Sequence, residues 1–313
     1  MRNTALAVIT GTSNPALAEK VCSHLGLALG QVLVGRFSDG EVRVEIGQNV
    51  RGFDVYVIQS LCPPVNENLI ELLVMIDALK RASARQINAV IPYYGYGRQD
   101  QKDKPRVPIV AKVVADLLTA AGLDRLITMD LHADQIQGFF KIPVDHLYGT
   151  GVLLQQARER LSGGDIVVAP DAGGVERSRV FASKLNVDLA MMDHRDTATS
   201  PSSHIHIVGD VGGRPVIILD DMVDTGKTLI RTAEAARASG ASTVDGYCVH
   251  AVLSAGALNR LERSPLRSLT VTDTIPHSRE AARSQKLRIV SVAPLLGEAI
   301  RRVHNEDSVS SLF

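Results

Sequence analysis

An α/β fold of two similar halves, each a mainly parallel sheet flanked by helices, is predicted by three observations. Short Val/Ile-rich runs alternate along the chain with segments of helical periodicity, and strands that are aliphatic on both faces belong in a sheet covered on both sides. The order of landmarks recurs at a nearly constant spacing: Gly11 answers to Asp171, Gly52 to Gly213 and Arg81 to Arg237. The 313 residues are also long enough for two domains of roughly 150 residues each.

The first strand, Ala5 to Thr10, stops at Gly11, and Pro15 to Leu25 follows with helical spacing. Asp54 to Gln59 is the second aliphatic run. It precedes a helix over Asn66 to Ala84, whose Leu69, Leu72, Leu73, Ile76 and Leu79 recur on one face. Ile87 to Pro92 and Leu126 to Met129 add strands. The second half opens with Asp165 to Pro170 and a helix ending near Leu185. Its next strand, Val216 to Leu219, is expected to end where Asp220 and Asp221 emerge. The halves join at Tyr148 to Gly151, dividing 1–150 from 151–313, with the last helix free to pack back on the first half.

Composition narrows the function. Lys plus Arg number 34 and Asp plus Glu 34, so no basic excess marks a nucleic-acid partner. With 45% hydrophobic residues and no Trp, the chain suits a soluble enzyme built on aliphatic cores. Cys22, Cys62 and Cys248 lie far apart and read as reduced, buried thiols. The apolar run Ala5 to Ile9 is too short for a signal peptide, and no run reaches the ~20 residues of a membrane span. The expectation is a cytoplasmic protein with no membrane partner.

The two halves are not chemically even. The second carries Asp220, Asp221, Asp224, Thr225, Gly226, Lys227 and Thr228 after its strand, where the first has Gln59-Ser60-Leu61-Cys62-Pro63-Pro64. Ligands of open α/β sheets bind beyond the carboxyl ends of strands, where paired carboxylates can accept hydrogen bonds from vicinal ribose hydroxyls. A turn into a helix, Asp224 to Thr228, offers backbone N–H groups to a phosphate. The Gly-Lys-Thr is not an ATP P-loop, because the position that must be the first glycine is Asp221.

The run Asp220 to Thr228 resembles the phosphoribosyl-diphosphate signature of type I phosphoribosyltransferase folds. Arg36 to Glu41, Asn66 to Leu73, Ile91 to Asp100, Met129 to Phe140 and Pro170 to Gly174 are similar, in order, to segments of the ribose-phosphate pyrophosphokinase family. The resemblance runs over nearly the whole chain. It implies two type I phosphoribosyltransferase-like domains and transfer of the diphosphoryl group of ATP to the C1 hydroxyl of ribose 5-phosphate. ATP would be held by Arg98, Gln99 and Asp100, with Phe37, Asp39 and Glu41 supplied by a neighbouring subunit of a homo-hexamer built from dimers. Ribose 5-phosphate would take Asp220, Asp221, Asp224, Thr225, Gly226, Lys227 and Thr228, and Mg²⁺ would take His132 and Asp171. Taken alone, His132 reads as a structural histidine and Arg98 as a capping or stacking residue. The surrounding motifs supply the functional reading.

One segment departs from the family's pattern. Members carry a Lys and a nearby Arg after the strand that follows Leu185; here His194 stands for the Lys and Asp196 for the Arg, leaving Arg195 as the permanent cation. His194 and Arg195 are therefore the candidate catalytic pair, and losing one oriented charge contact costs roughly 10²–10³ in turnover. Two alternatives stay beside the leading reading: a weakly active or regulatory paralogue, and a pyrophosphokinase with another ribosyl acceptor.

Overall fold

The structure is a computed structural model that describes residues 5–195, 204–254 and 256–312, with backbone alone at 194, 195, 204 and 205. The chain divides into two compact units. One is Met1–Tyr148 with Thr274–Pro276 and Ser291–Phe313; the other is Gly149–Asp273 with His277–Val290. The stretch 291–313, assigned above to the second half, groups with the first.

In the first unit the chain runs β1 (Leu6–Thr10), α1 (Pro15–Leu25), β2 (Val32–Arg36), β3 (Val42–Ile46), β4 (Asp54–Ile58), α2 (Val65–Arg81), β5 (Gln86–Ile91), α3 (Val110–Ala121), β6 (Arg125–Met129) and β7 (Val144–Leu147). Five strands form a parallel sheet in the order β1-β4-β5-β6-β7, while β2 and β3 pair as a separate antiparallel hairpin. Every residue of β4 is buried, as its continuous aliphatic run requires. Leu69, Leu72, Met75, Ile76 and Leu79 of α2 pack with Ala111, Val114, Ala115 and Leu118 of α3 over Ala7, Ile9, Val55 and Val57. Each of the Leu, Ile, Val and Met side chains among them stabilises the fold by roughly 1.5–3 kcal/mol.

Helix ends follow local chemistry. Pro15 opens α1 after Asn14, whose side chain accepts from the Leu17 N–H (3.4 Å), and Gly26 closes it in the left-handed conformation. α2 stops at Arg81, short of the expected Ala84, because Ser83 takes a positive φ of 62°.

The second unit runs α4 (Thr150–Arg158), β8 (Ile166–Ala169), α5 (Val175–Leu185), β9 (Asp188–Arg195), β10 (His204–Val208), β11 (Pro215–Val223), α6 (Lys227–Ala238), β12 (Thr243–Ala251), α7 (Ala257–Arg263), β13 (Ser268–Thr272) and β14 (Leu287–Val290). The chain then returns to the first unit as α8 (Ala293–Asn305), which packs on α1 and sets His304 Nδ1 at 3.1 Å from Asp54 Oδ2. The seven-stranded sheet has the order β10-β9-β8-β11-β12-β13-β14, parallel except that β10 pairs antiparallel with β9. Both sheets therefore share one plan of a core strand, a hairpin and then four more core strands. The hairpin joins the sheet only in the second unit.

β11 is longer than the expected Val216 to Leu219. It continues through Asp220 and Asp221 to Val223, because β12 stays paired beside it as far as Ala251. The carboxylates thus sit on a rigid strand rather than on the loop after it. Helices cover both faces: Phe181 of α5 meets Tyr247 of β12 with ring centroids 6.1 Å apart, while the adjacent Gly246 faces Leu229 of α6. No helix among the described residues is long and apolar enough to cross a membrane.

Candidate active site

In the second unit the chain leaves β8 for β9 on one side, and β11 lies on the other. A reversal of strand order opens a crevice beyond the carboxyl ends of the two strands, the usual ligand position in open α/β sheets. The residues that follow β8 are Pro170, Asp171, Ala172, Gly173 and Gly174, and those that end β11 are Asp220 to Val223. Asp171 is exposed; its Oδ1 accepts the Gly174 N–H at 2.8 Å, which fixes the turn into α5. Asp221 is buried and pairs with Arg177 of α5, Oδ1 to Nη1 at 3.2 Å. Its own N–H donates to Asp220 Oδ1 at 2.9 Å. Burial first, then the charge of Asp221 and the hydrogen bond shared with it, hold the Asp220 carboxyl well above the ordinary carboxylate range. Asp171 adds to that push and Arg177 opposes it. The crevice is an anionic, oxygen-rich wall with one guanidinium behind it.

The turn that follows is braced from outside. Ser254 donates its hydroxyl to Asp224 Oδ1, the Ser254 N–H donates to Asp224 O at 3.1 Å, and Arg260 Nε donates to Thr225 O at 3.0 Å. Gly226 caps α6 at φ +76°, a conformation costly for any residue with a Cβ, although a Cβ there would meet nothing nearer than 3.7 Å. The first-turn N–H groups of α6 have no intrahelical acceptor, so they and the helix dipole suit a phosphate. Lys227 and Thr228 are exposed beside them, and Thr225 and Asp224 are half-buried. The structure thus gathers Asp171, Asp220, Asp221 and the Asp224–Thr228 turn around the ends of two adjacent strands.

The equivalent place in the first unit, beyond β1 and β4, is filled from within. The buried Glu71 of α2 accepts from the Thr12 N–H (2.5 Å), the Thr12 hydroxyl (2.7 Å) and Gln59 Nε2 (2.8 Å). Ser13 donates its hydroxyl to Gln59 Oε1 at 2.7 Å and accepts the Ser60 N–H at 2.8 Å. A Cβ on Gly11 would stand 2.3 Å from Glu71 Oε1. A carboxylate of the protein's own occupies the spot where a loop of this kind would otherwise hold an external anion.

The remaining candidates of the first unit lie on two loops and a hairpin. Arg98 and Gln99 are exposed and Asp100 is buried, in the segment after β5. The Gln99 N–H donates to Tyr96 O (3.0 Å), Gln99 O accepts from Ala111 N (3.2 Å), and Asp100 Oδ2 accepts from Gln135 Nε2 (3.1 Å). His132, exposed after β6, is a close neighbour: a Cβ on Gly97 would lie 3.6 Å from the His132 Cβ. Phe37, Asp39 and Glu41 are exposed around the β2–β3 turn, where the Phe37 N–H donates to Glu41 O (2.8 Å) and the Glu41 N–H to Asp39 Oδ1 (3.1 Å). The start of α2 ties these parts together through Arg36–Glu67 and Tyr96–Asn66 contacts. His194 and Arg195 end β9, opposite Ile205 and His204; their side chains, and Asp196 altogether, lie outside the described residues.

Sequence reasoning missed four supports. They are Glu71, Arg177, Arg260 and the buried His146, whose Nε2 accepts the Leu131 N–H at 2.9 Å and so fixes the backbone next to His132. Each acts on a partner distant in sequence, and although Glu71 lies within the Asn66–Leu73 segment, nothing local there points to Thr12 or Gln59. Among the described residues, no three His, Cys, Asp or Glu side chains converge as a metal cage.

Comparison with known proteins agrees over the full length. Residues 6–122 match the N-terminal domain of ribose phosphate pyrophosphokinase, and residues 196–313 match the phosphoribosyl synthetase-associated domain. A ribose-phosphate pyrophosphokinase of Ralstonia nicotianae is 52% identical over 314 residues, covering 100% of this chain and 99% of the relative. That of Caldanaerobacter subterraneus subsp. tengcongensis is 53% identical over 310 residues, covering 99% and 98%. The crystal structure of phosphoribosylpyrophosphate synthetase from Mycobacterium smegmatis superposes with a TM-score of 0.92 at 40% identity, covering 97% of this chain and 100% of that one. Two unequal copies of one α/β plan, the second with an open anionic crevice and a phosphate-ready turn, thus coincide with full-length kinship, and the chain belongs to the ribose-phosphate pyrophosphokinase family.

Proposed function

We propose that this chain transfers the diphosphoryl group of ATP to the C1 hydroxyl of ribose 5-phosphate. The hydroxyl oxygen attacks the β-phosphorus, the bond from that phosphorus to the bridging oxygen of the α-phosphate breaks, and the hydroxyl proton is released. The products are phosphoribosyl diphosphate and AMP. The observation that carries the reading is the crevice beyond β8 and β11, where Asp220 and Asp221 stand ready to accept from ribose hydroxyls beside a turn suited to the 5-phosphate.

In this reading Asp224, Thr225, Gly226, Lys227 and Thr228 hold the 5-phosphate, and Gly226 lets the backbone approach it closely. Arg98, Gln99 and Asp100 hold ATP. Phe37, Asp39 and Glu41 complete the ATP site of a neighbouring subunit in a homo-hexamer built from dimers; their exposure on the hairpin tip suits that role. His194 and Arg195, the last two residues of β9, are the candidate catalytic pair. Phosphoryl-type transfer asks mainly for positioning and charge neutralisation.

The acidic oxygen donors fit Mg²⁺: beyond the effect of burial, Asp221 and Asp171 push the Asp220 carboxyl up further, so negative charge is concentrated there, and a hard cation prefers such oxygens. Mg²⁺ takes most of its ligands from phosphate oxygens and water, so few protein ligands are needed; Asp171, through its second carboxylate oxygen, and His132 would bind or orient it. When bound, the ion neutralises charge on the phosphates.

The test is a product assay with ATP, Mg²⁺ and ribose 5-phosphate that separates AMP from ADP. AMP formed in step with phosphoribosyl diphosphate supports the reading. Formation of ADP dependent on ribose 5-phosphate overturns it, and no AMP at all points to the regulatory alternative, for which His194→Lys is the restoring variant.

A further inference from the structure

A second cluster of cations lies on the outer side of the Asp224–Thr228 turn, in the second unit. Between α6 and α7 opens a cleft of about 270 Å³, lined by Lys227, Ile230, Arg231 and Glu234 from α6 and by Arg260 and Arg263 from α7. The α6 positions fall at the spacing of one helix face, so these side chains converge by construction rather than by chance exposure. Four cations stand against one carboxylate, in a chain whose formal net charge is zero. Among the described residues, Arg231 and Arg263 enter no ion pair, and Glu234 neutralises neither. Arg260 is different: its Nε donates to Thr225 O at 3.0 Å, so one wall of the cleft grips the backbone of the turn.

We propose that this cleft is a second binding site for a compact inorganic polyanion of the diphosphate class. The charge argues for a ligand of about three negative charges, and the volume exceeds one phosphate group but falls below an ordinary cofactor pocket. No aromatic side chain lines it, so it offers no stacking surface for a nucleotide base, and a free inorganic anion is the ligand it suits. Guanidinium groups provide the planar donors that phosphate oxygens take up in pairs. Occupancy draws Arg260 toward the anion and changes its hold on Thr225, so the site acts on the turn from behind. That coupling rests on the reading of the turn as the sugar-phosphate cradle; the anion binding does not.

The experiment is calorimetric titration of the full-length protein with inorganic diphosphate, without and then with ribose 5-phosphate. The wild type should show one more diphosphate per chain than the Arg231→Ala/Arg263→Ala variant, whose affinity at that site should fall by at least about 30-fold. Glu234→Gln, which removes the one opposing charge, should tighten the site about threefold, a gain that misfolding cannot produce. AMP formation without diphosphate should be unchanged in both variants. Equal stoichiometry in wild type and double variant, or no tightening in Glu234→Gln, overturns the site. If the site is present but its occupancy leaves ribose 5-phosphate affinity unaltered, the binding stands and the coupling through Arg260 is overturned.

Discussion

The carboxyl ends of β1 and β4 and those of β8 and β11 are the same place in two copies of one plan, yet one is closed and the other open. In the first copy the hairpin β2–β3 stands apart from the sheet and Glu71 fills the cradle. In the second, β9 and β10 extend the sheet past β8, the strand order reverses, and three aspartates face the space that remains. Both places hold carboxylates, one in the first copy and three in the second, with opposite electrostatic outcomes. Glu71 is surrounded by donors and satisfied, whereas Asp220 is pushed up by burial and then by like charge. A carboxylate surrounded by donors stabilises a fold, and one buried beside like charge costs it stability.

The comparison breaks most decisively at its open end. Asp220→Ala/Asp221→Ala should lower AMP formation by roughly 10²–10³ or more while shifting the unfolding midpoint by only a few degrees, since it also removes repulsion. A variant that lost stability and activity together would show these carboxylates to be structural. At the closed end, Glu71→Ala should cost about 1–3 kcal/mol in denaturant unfolding, because it strands the buried Gln59 amide and removes the acceptor of the Thr12 donors. Millimolar sulfate should restore part of that loss if the cradle is built for an anion; identical midpoints with and without sulfate would remove the analogy.

The two glycines sharpen the contrast. Gly11→Ala drives a methyl group into Glu71 and should destabilise by about 1–3 kcal/mol with unchanged affinity for ribose 5-phosphate. Gly226→Ala meets open space but a forbidden φ, so it should cost about 1 kcal/mol and raise the KM for ribose 5-phosphate instead. Matching KM values for the two variants would contradict the assignment. The smallest effect concerns the thiols of the first unit. Burial pushes Cys22 and Cys62 from 9.0 up to about 11, so the folded protein keeps protons that the unfolded chain releases. Their contribution is therefore intact below pH 9.0 and lost as the pH rises toward about 11, visible as a falling unfolding midpoint and as slow alkylation of the native protein at pH 8. Rapid labelling at pH 8 would show that the first unit opens locally.

Much of this was legible because the signals are local. Continuous runs such as Val55 to Ile58 and Val216 to Leu219 declare buried parallel strands, and the dense polar run after Asp220 lies where the sequence puts it, at the end of a strand and the start of a helix. The β2–β3 hairpin is absent from the sequence reading: Val42–Ile46 alternates strictly between apolar and polar residues, but Val32–Arg36, interrupted at Gly35, does not, so the pair is not evident from both strands. The extension of β11 through its aspartates depends on the length of its neighbour β12, which no pattern within β11 encodes. Glu71 meets Thr12 and Arg177 meets Asp221 across helices and strands far apart in the chain, and a sequence window sees neither pair. The grouping of 291–313 with the first unit, left open for the last helix in the sequence reading, is fixed by α8 against α1 and by His304 beside Asp54.

Glu71 can also be described by mass action. A side chain fixed beside its own cradle is a ligand whose effective concentration is on the order of millimolar or far above, and no metabolite can dilute or outcompete it. The first copy is thus permanently saturated, and its occupancy carries no information about the cell. Duplication of the plan thus leaves one such place open to an external ligand and the other filled by the chain itself.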